Sequence, residues 1–178
     1  MALGEFIKRV AAWQTKALRE AKRHSSWIAP NVRYEEACGL FLQRLAEQAA
    51  KPGSKLRGVQ KLVSRIAPAG AVNSLAQTVL RLTAPGVPDL YQGTELWDFS
   101  LVDPDNRRPV NFELLAEALD TFSKSKDGAT GENLGTLLPS WKNGRIKQAI
   151  IHRLLQCRKA HPELFESGEY LPMTVSGR

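Results

Sequence analysis

Residues 84–110, APGVPDLYQGTELWDFSLVDPDNRRPV, break an otherwise helical chain. Pro85, Pro88, Pro104 and Pro109 remove backbone donors, and Gly86 and Gly93 admit turns, so no regular helix runs through. A plain connector needs only a few polar residues. This one carries Asp89, Tyr91, Gln92, Glu95, Trp97, Asp98, Asp103, Asp105, Asn106, Arg107 and Arg108. Carboxylates, amides and arginines bind sugar hydroxyls, and aromatic rings cover the C–H face of a sugar. The segment suits a saccharide. It equally suits a loop stiffened by its own ion pairs, with Arg107 or Arg108 forked onto Asp103 or Asp105.

Around it, hydrophobic spacing predicts helices over 3–23, 32–50, 56–66, 71–82, 112–122 and 145–160. Asn31 is placed to cap the second, with Glu35 and Glu36 in its first turn. Ala67-Pro68-Ala69-Gly70 reads as a stop between the third and fourth. Residues 87–91 form a short apolar run between turns, the pattern of a buried strand that begins near Pro88. Residues 123–135 are polar and glycine-rich, which predicts a mobile loop. His161-Pro162 ends the last long helix. A helical turn and one extended segment, 169–175, follow. A lone strand leaves backbone groups unpaired, so it pairs with the C-terminal segment or with partners outside this chain.

The chain has 178 residues and a net charge of +7, enough for one domain with a core. Its basic residues gather in 8–23, 51–65 and 142–158. They sit singly on helix faces among acids, without interleaved aromatics, which favours a solvated or protein-covered face over nucleic acid. No apolar run approaches the ~20 residues of a membrane span, and the N-terminus does not read as a secretory signal. Cys38 and Cys157 lack any pattern and read as small buried hydrophobes in a reducing cytoplasm.

Glycosidic chemistry needs two carboxyls on either side of the bond, about 5–5.5 Å apart when configuration is retained. Asp103 and Asp105 share one loop and approach from one side, so the chain offers a ligand wall more readily than a reacting pair. His24 and Trp27, in the cluster HSSW at a helix end, are candidate supports for the wall. His24 also suits the negative end of a helix dipole. Asn73 and Gln77, on the helix leading into the loop, are further candidate supports. His24, His152 and His161 lack metal-ligand spacing, so no metal is expected. Nucleophile elbows, phosphate-binding loops and CxxC pairs are absent, and no cofactor is expected.

The stretch AVNSLAQTVLRLTAPGVPDLYQGTELWDFSLVDPDNRRPVNF resembles the malto-oligosyltrehalose synthase family, within glycoside hydrolase family 13. The likeness extends to REAKRHSSWIAPNVRYEEA and to WKNGRIKQAIIHRLLQCRKAHPELFESGEYLP, so it covers nearly the whole chain. The resemblance implies a mainly α chain: a helical fragment of a (β/α)₈ barrel enzyme, with one barrel-type strand at about 87–91 and a second C-terminal strand as a further option. It implies a helical subdomain over 1–83 and the last barrel strand with its substrate-side loop over 84–110. Barrel helices over 111–168 and the start of a truncated β-domain over 169–178 complete that division.

The implied reaction converts the terminal α-1,4 linkage of a maltodextrin to α,α-1,1 by intramolecular transglucosylation. The family's three catalytic carboxylates lie upstream of everything present, so the chain alone is expected to be inactive. The implied substrate wall is Tyr91, Gln92, Glu95, Asp103, Asn106, Arg107 and Arg108. The implied partners are a maltooligosaccharide and the missing N-terminal barrel portion, with no nucleic acid or membrane, in the cytoplasm. The competing readings are a stand-alone helical module that binds glucan or protein without catalysis, and a basic nucleic-acid-binding domain.

Overall fold

The computed structural model describes residues 3–54, 56–123 and 134–177. The chain is mainly α-helical and divides into two compact units, Met1–Ala67 with Phe99–Pro109, and Pro68–Asp98 with Val110–Arg178.

The first unit is built on α1 (Leu3–Ala21) and α2 (Val32–Ala50), which pack together. α1 stops two residues short of its expected end because Lys22 turns into the left-handed region at φ 54°. Asn31 caps α2 as its position in the sequence foretold: its side chain accepts the Tyr34 N–H at 3.1 Å. The half-buried stripe of α2, Tyr34, Cys38, Leu42 and Ala46, has the spacing of a packed helix face. Residues 99–109 complete this unit as an irregular segment with one 3₁₀ turn, Asp105–Arg107.

The expected break between a third and a fourth helix does not occur. α3 runs unbroken from Arg57 to Thr83 with Pro68 inside it. An interior proline forfeits one backbone bond and crowds the preceding turn. Helix on both sides retains every other bond, so the stop signal is overridden. The division between the units falls at Pro68.

The second unit holds α4 (Phe112–Ser123), the single-turn α5 (Leu134–Leu137), a 3₁₀ stretch over Leu138–Asn143, α6 (Arg145–Ala160) and α7 (Pro162–Glu166). Leu137, Ile146 and Ala149 form its core, flanked by Leu75, Trp97, Leu119, Leu134, Trp141 and Ile150. Each large apolar side chain buried there contributes about 1.5–3 kcal/mol. Gly144 caps α6 at φ 79°, and a Cβ there would stand 2.8 Å from the Trp97 backbone nitrogen. Glycine alone satisfies both the left-handed backbone and the close approach.

The strand expected at 87–91 is not formed, and no strand occurs among the described residues. The segment lacks a ladder, and Val87 is 98 % exposed. A side chain fastens the flank that precedes it instead. Arg158 donates to the carbonyls of Leu82 and Ala84 at 3.1 and 3.0 Å, and also to that of Gly86. The C-terminal segment 169–175 is likewise outside any ladder. Cys157 is exposed, not buried, because it lies on the outer side of α6; Cys38 is half-buried. Most of the predicted 123–135 loop lies outside the described residues.

Candidate functional site

In the first unit, the 99–109 turn is organised around Asp105. Its carboxylate is only 8 % exposed and receives a fork from Arg9, Nε to Oδ1 and Nη2 to Oδ2, both at 2.7 Å. The Leu101 N–H adds a bond to Oδ2 at 2.7 Å. Arg9 also donates to the Phe99 carbonyl at 2.9 Å, and so ties both arms of the turn to α1. The Arg9 guanidinium holds the Asp105 carboxyl well below the usual carboxylate range; the Leu101 N–H and the charge of Arg108 act in the same direction. Asp105 is a fixed anion of the scaffold.

That anchor disposes the neighbouring candidates. Arg108 is folded back: its Nε donates to the Asp105 carbonyl at 2.9 Å, and its Nη2 donates to Ser100 Oγ at 3.2 Å. Asp103 is ion-paired with Lys16 at 3.5 Å and with Arg107, the latter without an aligned hydrogen bond. Arg107 is 77 % exposed, and Asn106 beside it is exposed. The sequence paired Arg107 or Arg108 with Asp103 or Asp105, and the ion pairs Arg107–Asp103 and Arg108–Asp105 do form, the second with Nε 3.3 Å from Oδ1. The bidentate fork on Asp105, however, comes from Arg9, 96 positions away. Arg9 was invisible as a partner because a basic residue on an amphipathic helix looks like any solvated cation. No local spacing points to a loop so remote.

The same unit contains a second network. Glu35 accepts a fork from Arg19, both bonds at 2.8 Å, and a 2.5 Å bond from Ser25 Oγ. Ser25 is buried, and its hydroxyl also accepts the Asn31 N–H at 3.0 Å. The Arg19 fork leads in lowering the Glu35 carboxyl to about 2, with the Ser25 hydroxyl next. Trp27 carries the Arg19 guanidinium 5.0 Å from its ring centroid, and His24 lies 5.0 Å from the Tyr34 ring. These contacts fix where α1 hands over to α2. Sequence analysis singled out His24 and Trp27 but missed the Arg19–Glu35–Ser25 network that they surround.

The remaining candidates belong to the second unit. Tyr91, Gln92, Gly93 and Thr94 make a tight turn: the Thr94 N–H and hydroxyl both donate to the Tyr91 carbonyl, at 3.2 and 2.6 Å, and Gly93 takes the positive φ of 84°. Tyr91 and Gln92 are exposed at its tip. Glu95 is half-buried, with Oε2 buried and unpartnered. Lys147 on α6 reaches this segment and donates to the Thr94 and Leu96 carbonyls at 2.6 and 3.1 Å. Burial lowers the Lys147 ammonium and Arg81 adds to that; the charges of Asp98 and Glu95 oppose it. Trp97 Nε1 donates to the Trp141 carbonyl at 2.7 Å. Asn73 and Gln77 are exposed on α3. Among the described residues no cluster of His, Cys, Asp or Glu could hold a metal ion, and no helix is long and apolar enough to cross a membrane.

No family model matches the chain. A protein of Mycobacterium tuberculosis that bears the name maltooligosyl trehalose synthase is 36 % identical to it over 169 residues, 95 % of this chain and 19 % of that protein. A crystal structure of a maltooligosyl trehalose synthase superposes with a TM-score of 0.80 at 34 % identity, covering 97 % of this chain and 22 % of the other. The maltooligosyltrehalose synthase of Arthrobacter ramosus superposes at 0.68 with 37 % identity over 90 % of this chain and 19 % of its own. The chain therefore spans about a fifth of the length of the relatives that it matches.

Proposed function

We propose that this chain, homologous over nearly its whole length to about a fifth of the maltooligosyl trehalose synthases, is part of such an enzyme and presents a saccharide-contact wall. The observation that carries the reading is the likeness itself: 34 % identity with a TM-score of 0.80 across 97 % of the chain. The reaction is the transfer of a terminal α-1,4-linked glucose to an α,α-1,1 linkage within one maltodextrin molecule.

The chain's own chemistry supports a wall in place of a reacting pair. Retaining transfer needs one carboxyl that is protonated at working pH and one that is free to attack. Asp105 and Glu35 are locked as anions by arginine forks, so neither supplies a proton near neutrality. Arg107 and Asn106 stand exposed on a turn held by Arg9, a geometry suited to hydroxyl groups that arrive from solvent. Tyr91 and Gln92 contribute an aromatic face and an amide at the tip of a second fixed turn. The reacting acids belong to the part of the enzyme outside this chain. The chain alone is inactive, and its setting is the cytoplasm.

A chimera tests this, with the chain replacing its counterpart in the Arthrobacter ramosus synthase. The chimera is expected to convert maltopentaose to a non-reducing product. Arg107→Ala is expected to lower kcat/KM by about tenfold or more while Tm moves little, since Arg107 is 77 % exposed. Full activity in this variant would remove the wall, and a folded but inactive chimera would remove the assignment.

A further inference from the structure

The first half of α3 carries Val59, Leu62, Val63 and Ile66 at i, i+3, i+4 and i+7, which is one face of a helix. Such a stripe is ordinarily packed on a core. Here each of the four is more than half exposed, and every residue from Arg57 to Ile66 is exposed. Apolar side chains left in water forfeit the free energy of burial, so the stripe calls for a covering surface.

Charge selects the occupant. Arg57, Lys61 and Arg65 recur every four residues, and no carboxylate lies between residues 57 and 67. A second copy laid on this face would set cation against cation, which disfavours pairing. A bilayer would accept a basic amphipathic helix, but the apolar face lacks the aromatic residues that anchor such helices at a membrane surface. A protein surface remains, apolar at its centre and rimmed by carboxylates. The relatives of this chain are about five times its length, so they carry polypeptide that can provide one.

We propose that the stripe Val59, Leu62, Val63 and Ile66 docks against an apolar, carboxylate-rimmed surface on the part of a synthase polypeptide that this chain does not span. The inference rests on the preceding functional reading. α3 is thus the element that joins this segment to the remainder of the enzyme, and Lys61 and Arg65 set the choice of surface.

The test is the alkylation rate of a thiol at position 63. Val63→Cys is introduced with Cys38→Ser and Cys157→Ser, both in the isolated chain and in the Arthrobacter ramosus chimera. Docking predicts alkylation at least about tenfold slower in the chimera than in the isolated chain. It also predicts that Lys61→Glu with Arg65→Glu restores the fast rate in the chimera. Equal rates in both proteins would overturn the proposal. So would protection of the isolated chain that rises with its own concentration, which points to a second copy. Protection by phosphatidylglycerol vesicles would overturn it in favour of a membrane. If the chimera does not fold, the same comparison is made in the intact Arthrobacter ramosus synthase, with cysteine at the position matching Val63. A chimera that turns over maltopentaose but alkylates as fast as the isolated chain sinks the docking face alone. A protected but inactive chimera sinks the functional reading alone.

Discussion

The two units are held by different forces. Every buried hydrophobic residue among those described, Leu82, Leu137, Ile146, Ala149, Ile151 and Phe165, lies in the second unit. There the polar side chains serve the backbone: Lys147, Gln148 and Arg158 each donate to carbonyls of other segments. In the first unit the buried residue is Ser25, and order comes from Arg9–Asp105 and Arg19–Glu35. Packing forces are indifferent to pH, whereas arginine–carboxylate forks are not. One molecule thus contains a unit governed by shape and another governed by charge, and the exposed arginine turn belongs to the second kind.

The largest effect is expected from Ile146→Ala, which opens a cavity beside Leu137 and Ala149. It should cost about 3 kcal/mol. Hydrogen exchange should show the loss in α6 while the Asn31 and Leu101 amides keep their protection; equal loss in both units would break the comparison.

Acid should do the reverse. The Glu35 carboxyl falls from 4.5 to about 2 on folding, so the folded unit binds fewer protons between those values. Its contribution is whole above about pH 4.5 and fades as pH falls toward 2. Asp105, depressed by Arg9, adds with the same sign. Protection of the Asn31 amide on Ser25 Oγ and of Leu101 on Asp105 should fade in that window. The Gly86 amide, which donates to the Phe165 carbonyl, should hold. A Gly86 amide that fades together with Asn31 would refute the distinction.

The smallest effect sharpens the comparison. Asn31→Ala removes the cap of α2 and should cost about 1 kcal/mol, seen as faster exchange at Tyr34 with α6 unchanged. No change at Tyr34 would mean that the Glu35 network, not the cap, fixes that helix end.

What could be read in advance follows from the range of each force. Asn31 was legible because a cap bonds a residue three positions on, and the C-terminal end of α6 because His161-Pro162 acts locally. Pro68 misled because a local stop signal was weighed without the helix on both sides of it. The strand at 87–91 misled because apolar content marks a segment as extended, while a ladder needs a second segment. Lys147 falls in a basic stretch expected to face solvent or another protein, yet it and Gln148 are buried, because backbone carbonyls of distant segments meet them there.

The sequence by itself determined where most of the helices lie, the Asn31 cap of α2 and the irregular course of residues 84–110, since each depends on residues a few positions apart. Only the tertiary structure decided that the fork on Asp105 comes from Arg9, that Arg107 and Asn106 are exposed to solvent, and that the α3 stripe stands uncovered. Pairing between charges 96 positions apart, and the covering of an apolar face, depend on how the chain returns on itself, which local spacing does not encode.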